Sequence, residues 1–179
     1  MIEITYYQSP IGELLLAVKN DKLIGLWIKD QKYYLSNVQE ELKERSDHAL
    51  LNQTKEWLDR YFNGEKPAIK ELALEPIGSE FRKRVWEILC EIPYGEVMTY
   101  HDIAKRIAKE KGIKRMSAQA VGGAVGHNPI SIIIPCHRVV GSNGSLIGYG
   151  GGIHNKLKLL ALEGVDTSSY TIPKKGTAL

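Results

Sequence analysis

The chain has 179 residues, 43% of them hydrophobic and 25% charged, a balance that excludes a disordered or fibrous protein and suffices for one generous domain or two small ones. Its formal net charge is +3, too small by itself to point to a partner. No apolar run approaches the ~20 residues of a membrane span, and the N-terminus lacks the basic-then-apolar pattern of a signal peptide, so a cytoplasmic setting is expected.

Thr5–Tyr7 and Leu14–Val18 are β-prone runs separated by the turn signal Ser9-Pro10-Ile11-Gly12. A third run, Leu23–Ile28, follows Asn20-Asp21, a favourable hairpin turn, so a small antiparallel meander is predicted. Residues 35–46 and 50–62 are then expected as helices, the second with Leu51, Thr54, Trp57, Leu58 and Tyr61 on one face. Asn63-Gly64 stops it, and the stretch 64–78, with Pro67, Pro76 and Gly78, has the character of a linker. Ser79 is a candidate N-cap for a helix carrying Phe81, Val85, Ile88, Leu89 and Ile92, ended by Pro93-Tyr94-Gly95. Thr99-Tyr100-His101-Asp102 has the form of a capping box before Ile103, Ala104, Ile107 and Ala108, which predicts a short helix to about Glu110. Ser117 can cap Ala118–Gly126, stopped by Asn128-Pro129. Ile130–Ile134 is expected as a short buried strand, residues 141–144 as a turn, Gly148–Gly152 as a loop nearly free of side chains, and Asn155–Leu162 as a last helix closed by Gly164. The fold class is therefore α/β (α+β). An N-terminal domain spans 1–75, a helical domain 76–170 with a helix-turn-helix at about 100–126, and a tail 171–179.

Charge is unevenly spread along these elements. Residues 1–90 carry 13 basic and 15 acidic side chains, residues 91–179 carry 11 and 6. Between 105 and 138, Lys105, Arg106, Lys109, Lys111, Lys114, Arg115 and Arg138 face Glu110 alone, a pattern that suits a polyanion or a solvated basic face. The second helix of the pair is almost bald, with Ala118, Ala120, Gly122, Gly123, Ala124 and Gly126, although each interior glycine costs ~1 kcal/mol relative to alanine. Either a neighbouring element packs tightly on it, or it enters a groove too narrow for large side chains, such as the ~6 Å minor groove.

The chemistry concentrates in Ile134-Pro135-Cys136-His137-Arg138-Val139. A lone cysteine is by default a buried structural thiol, but here Pro135 ends the apolar run, His137 and Arg138 set cationic groups beside the sulfur, and a glycine-rich loop follows. Cys90, between Leu89 and Glu91 in an amphipathic stretch, is taken as structural. With no Cys-x-x-Cys, no zinc-type Cys/His spacing and only two cysteines, a disulfide scaffold and a metal site are excluded. A phosphatase signature would need arginine at 142, which is Ser142, and the histidines His48, His101, His127 and His154 form no i,i+4 pair.

Pro135-Cys136-His137-Arg138-Val139 resembles the active-site motif of the O6-alkylguanine-DNA alkyltransferases, the methylated-DNA–protein-cysteine methyltransferases. The likeness extends to Ile92-Pro93-Tyr94-Gly95-Glu96-Val97, Thr99-Tyr100, Ala120-Val121-Gly122-Gly123-Ala124, Asn128-Pro129 and Leu160-Ala161-Leu162-Glu163-Gly164, covering about residues 76–165, with a weaker match before them. It implies a ribonuclease-H-like N-terminal domain and a helix-turn-helix that enters the minor groove of double-stranded DNA and flips out O6-alkylguanine, and O4-alkylthymine as well. It further implies transfer of the alkyl group to Cys136, once per molecule, with no cofactor and no metal, by a monomer. His137 matches a water-bridged general base, Glu163 the carboxylate that orients it, and Tyr100 a donor to the guanine ring nitrogen. Ala118, Gln119, Ala120 and Gly122 match the DNA-reading helix, Asn128 the turn after it, and Arg138, Val139, Tyr149 and Gly150 the substrate- and DNA-binding set. Gln119 stands where the family usually has arginine, and Gly150 where many members have serine. The alternative is an alkyltransferase-like lesion-binding protein that recruits other repair machinery; such proteins replace the cysteine that this chain has at 136.

Overall fold

The computed structural model describes residues 1–36, 38–146 and 149–172. The chain divides into two compact units, one of residues 1–77 together with 129–133, the other of 78–128 together with 134 onward.

The first unit is built on a four-stranded sheet with β1 (Ile2–Ser9) and β2 (Gly12–Lys19) at its centre, β3 (Lys22–Ile28) beside β2 and β4 (Leu42–Glu44) beside β1. Strands β1, β2 and β3 form the predicted antiparallel meander. Asn20 and Asp21 both take left-handed φ, of 50° and 56°, as a two-residue hairpin turn between right-twisted strands requires. Helix α1 (Ala49–Phe62) buries Leu51, Thr54, Trp57, Leu58 and Tyr61, the face its spacing predicted.

Residues 35–46 are not a helix. Leu35, Val38 and Leu42 have helical spacing, but they pack individually against the sheet cluster of Ile2, Ile4, Leu15, Ala17, Ile24 and Trp27. A turn covers 32–36, and β4 (Leu42–Glu44) pairs in parallel with Ile2–Ile4, satisfying backbone groups that would otherwise form a bare edge. Asn37 lies outside the described residues. Ile130–Ile134 is likewise no strand. It makes one bridge, Ile130 to Leu26, with Leu26 N–H donating to Pro129 O (2.9 Å) and Ser131 N–H to Leu26 O (2.9 Å). The backbone then turns at Ile132, whose φ of 72° lies in the left-handed region that a β-branched residue rarely enters. Segment 129–133 thus packs with the first unit, although it falls within the range 76–170 expected for the second.

The second unit contains α2 (Glu80–Cys90), α3 (Tyr100–Lys111), α4 (Ala118–Gly126) and α5 (Ile153–Leu162). Each of the first three is capped where the sequence indicates. Ser79 Oγ accepts from Arg82 N–H, Thr99 and Asp102 form a reciprocal capping box, and Ser117 Oγ accepts from Ala120 N–H. Val85, Ile88, Leu89, Ile103, Ile107 and Val121 are fully buried, each aliphatic side chain contributing about 1.5–3 kcal/mol of transfer free energy. Two-residue strands β5 (Met98–Thr99) and β6 (Val139–Val140) pair in parallel, which sets Tyr100 next to the segment that carries Cys136.

Candidate active site and nucleic-acid face

Pro135, with φ −82° and ψ 64°, bends the backbone so that Cys136 N–H donates to Ile134 O (2.8 Å), and Cys136–Arg138 continue as a single 3-10 turn. Asn128 Nδ2 donates to Ile134 O (2.8 Å), tying the end of α4 to the residue that precedes this bend. Cys136 is buried, at 3% exposure. Burial pushes its thiol up to about 11, although the Asn128 side chain and the Lys156 charge pull the other way. At neutral pH the group is therefore a thiol that needs a base before it can attack.

A group able to take up a proton is the neighbour of Cys136 in the chain. His137 is fully buried, and its Nε2–H donates to Glu163 Oε2 at 2.5 Å. That donation leaves the acceptor lone pair of the neutral ring on Nδ1. Burial holds the imidazole below its ordinary 6.5, with Glu163 opposing, so the ring is neutral and able to take a proton. Glu163 also accepts from Arg138 Nε (2.8 Å), Arg138 Nη2 (3.2 Å) and Gly95 N–H (3.1 Å). Burial alone would raise its carboxyl, but the hydrogen bonds and charges of His137 and Arg138 outweigh that and hold it well below the usual carboxylate range. Gly95 has to be glycine. Its φ is 81°, and a Cβ there would lie 3.0 Å from Glu163 O.

Arg138 belongs to this cluster and not to a DNA-facing surface. Its remaining Nη1 donates to Ile92 O (2.7 Å), and the guanidinium lies 5.7 Å from the Tyr94 ring centre. A buried carboxylate demands a paired cation, and that need fixes Arg138.

Tyr100 is buried at the N-terminus of α3, and burial, reinforced by the Cys136 charge, keeps its phenol protonated far above neutral pH. Val139 and Tyr149 are buried and Gly150 half-buried. The Tyr149 hydroxyl is buried with no hydrogen-bond partner among the described residues. Ile147 and Gly148, the start of the expected loop, lie outside those residues. Sequence reasoning missed Lys156. It is fully buried on α5, its ammonium donates to Val139 O, and it lies 5.8 Å from the Tyr100 ring centre and 6.0 Å from that of Tyr149. Burial pushes it down to about 8, the Cys136 charge opposing. A signal was present, since Lys156 occupies the i+3 place in the apolar stripe Ile153, Lys156, Leu160.

Helix α4 buries Val121, Ala124 and Val125, and Trp86 Nε1 donates to Ala124 O (2.8 Å). Its other face is open. Ala118, Gln119, Ala120 and Gly123 are exposed, and a Cβ at Gly123 would meet nothing within 4 Å. Gly122, half-buried, would bring a Cβ into ordinary contact with the Tyr100 ring at 3.8 Å. Packing within the chain therefore does not account for the small residues of the open face. Of the basic residues between 105 and 138, Lys105, Lys109, Lys111, Lys114 and Arg115 are exposed, whereas Arg106 pairs with Glu91 (2.8 Å). Cys90 is half-buried and its thiol is pushed up to about 11 by burial, an unreactive setting. No group of three or more His, Cys, Asp or Glu among the described residues could hold a metal ion.

A two-layer unit followed by a helical unit with a Cys–His–Glu arrangement defines a class, and comparison with known proteins specifies it. Residues 2–76 match the family model of the 6-O-methylguanine DNA methyltransferase ribonuclease-like domain, and residues 80–165 that of the 6-O-methylguanine DNA methyltransferase DNA-binding domain. The methylated-DNA–protein-cysteine methyltransferase of Mycolicibacterium paratuberculosis is 44% identical, covering 91% of this chain and 93% of its own. That of Haemophilus influenzae is 39% identical, over 89% and 84%. The crystal structure of Mycobacterium tuberculosis OGT in complex with DNA superposes with a TM-score of 0.78 at 38% identity, covering 94% of each chain. The chain belongs to the O6-methylguanine-DNA methyltransferase family.

Proposed function

We propose that this protein repairs O6-alkylguanine in DNA, and O4-alkylthymine as well, by moving the alkyl group to Sγ of Cys136. The observation that carries the reading is the buried His137–Glu163 pair, held by Arg138 and adjoining a buried thiol that cannot ionise unaided. In the reaction the thiol proton passes to Nδ1 of His137 through a bridging water, and Glu163 stabilises the imidazolium that forms. Sulfur attacks the alkyl carbon, an S–C bond forms, and the C–O6 bond breaks with its electron pair going to the guanine. Tyr100, a phenol that keeps its proton, donates a hydrogen bond to the ring nitrogen of the departing base and stabilises the charge there until solvent supplies the proton that completes the guanine. The thioether has no hydrolysable bond, so each molecule acts once.

The substrate atom lies inside the stacked duplex, which requires the nucleotide to be flipped out. The open small-residue face of α4 suits a minor groove ~6 Å wide, and the exposed lysines around it suit phosphates. Gln119, exposed on that face, is placed to fill the gap left by the flipped base, with an amide in place of the family's usual guanidinium. Val139, Tyr149 and Gly150 line the receiving pocket, and Asn128 braces the turn between reading helix and thiol.

The test is intact mass after incubation with O6-methylguanine duplex. One methyl group per protein, mapped to the peptide containing Cys136 and absent from Cys136→Ala, is expected. Methyl on Cys90, or repeated turnover, defeats the reading. A Cys136→Ala protein that still binds the duplex separates chemistry from recognition.

A further inference from the structure

The C-terminal stretch after Glu163 has no part in the mechanism above, yet it is tied into one place in the second unit. Thr171 N–H donates to Gly144 O (2.9 Å) and Leu146 N–H donates to Thr171 O (3.0 Å), so Ser145 and Thr171 form a parallel bridge. The approach depends on Gly144. Its φ is 78°, and a Cβ there would lie 3.2 Å from Ser169 O. One residue before the bridge, Tyr170 packs with Val165 against a cluster of Val140, Leu146, Ile153 and Leu160.

That cluster brackets the pocket loop. Leu146 stands just before it and Ile153 just after it, at the start of α5, while Tyr149 and Gly150 lie between. The far end of the loop is already fixed, because Gly152 N–H donates to Tyr149 O (3.1 Å) and Asn155 Nδ2 to Gly151 O (2.8 Å). The near end has as its anchors the Gly141–Ser145 turn, closed by Gly141 N–H to Ser145 O (2.8 Å), and the strap across it. A loop tethered firmly at one end alone samples many more conformations than one tethered at both.

We infer that the strap Val165–Ile172 positions the substrate pocket for transfer, with Tyr170 and the Thr171 bridge holding the near end of the Tyr149–Gly150 loop in register. The inference rests on the pocket role given above to Tyr149 and Gly150. Pocket groups must be held to within a fraction of an ångström, and a 1 Å misplacement costs up to about 10²-fold in rate. The thiol, His137 and Glu163 have their own anchors in Asn128, Arg138 and Gly95, so the strap acts on the geometry of the flipped base and leaves proton transfer untouched.

The experiment compares the full chain, a chain ending at Ser168, Tyr170→Ala and Tyr170→Phe. Transfer by the full chain to O6-methylguanine duplex tests the functional reading; the variants test the strap. Single-turnover rates are measured at saturating DNA across pH, together with affinity for undamaged duplex. The chain ending at Ser168 is expected to transfer about 10-fold more slowly or worse at saturation, with duplex affinity and the shape of the pH profile unchanged. Tyr170→Ala should show the same split to a smaller degree, and Tyr170→Phe, which keeps the packed ring, should restore the rate. Should the shorter chain fail to fold, the Tyr170 pair decides alone. A wild-type saturating rate in Tyr170→Ala overturns the inference. So does a slowed variant whose pH profile has moved, because the strap would then act through the thiol–histidine relay.

Discussion

At the scale of single residues, His137 and Glu163 form one buried cluster in which both groups give up protons more readily than in water. His137 is held below its ordinary 6.5 and Glu163 below its ordinary 4.5. The transfer rate should therefore be level through neutral pH and past 6.5, falling only at the lower pH where the folded protein's imidazole takes up a proton and can no longer accept one from the thiol. Stability should fall in the same direction, since the unfolded chain takes up protons at His137 and then at Glu163 that the folded protein refuses. His137→Gln and Glu163→Gln should each slow single-turnover transfer by about 10²-fold or more, with the double variant little worse than either. Fully multiplicative losses would show that the two do not act as a unit. Lys156 has a separate signature. Its folded pKa of about 8 lies below the ordinary 10.5, so Lys156 should add about 1 kcal/mol to the stability between pH 8 and pH 9, as the folded protein sheds a proton that the unfolded chain keeps. From about pH 8 upward the Cys136 and Cys90 thiols, both raised to about 11, work the other way, so the Lys156 contribution is read as the difference between the protein and its variant. Urea unfolding of Lys156→Met should lack that contribution between pH 8 and 9, and its transfer should be slower because the cation beside the sulfur is gone.

Among the elements, α4 carries the open small-residue face on which the proposed groove entry rests. Arg84 on α2 grips Glu110 on α3 through Nε (2.9 Å) and Nη2 (2.5 Å), but both side chains are about a third exposed, so solvent screens the clamp and it contributes little to stability. The informative position is Gly123, where helix propensity and function pull apart. With nothing near its absent Cβ, Gly123→Ala should raise stability by roughly 0.5–1 kcal/mol in thermal melts. Gly123→Phe should keep the fold and lower duplex affinity by about 10-fold or more, because the ring has to enter a groove ~6 Å wide. Unchanged affinity in anisotropy titrations would mean that the face does not enter a groove.

Over the whole molecule, the proposed methylation of Cys136 predicts a point of stress. Cys136 is 3% exposed, in a shell that includes Asn128, Lys156 and Tyr100. A methyl group added to a close-packed interior costs about 1–3 kcal/mol, and for a chain of this size that lowers the melting temperature by roughly 2–10 °C. Calorimetry before and after reaction with one equivalent of methylated duplex should show the drop. An unchanged transition would place the methyl group elsewhere. The calorimetric trace has two compact units to report on, and the shift belongs to the second, which holds the thiol.

What the sequence determined by itself was set by chemistry within a few residues along the chain. Ser79, Thr99 with Asp102, and Ser117 cap helices because their side chains reach backbone N–H groups three residues away. Asn20-Asp21 turns because both tolerate left-handed φ. The Pro135–Val139 motif was legible for the same reason, its residues being neighbours in the chain. Tertiary structure decided the rest. Leu35, Val38 and Leu42 satisfy helical spacing as well as they satisfy the face of a sheet, and only the presence of that sheet and the open edge of β1 chose between them. The β5–β6 pair is two residues long, too short to leave a pattern, yet it brings Tyr100 beside the thiol segment. Arg138 has the sequence signature of a surface cation and lies buried because Glu163 pairs with it, and although the apolar stripe around Lys156 hints at burial, its partner Val139 O is one that no local pattern encodes. Burial of a charge depends on which distant groups meet it, and that is settled only when the chain has folded.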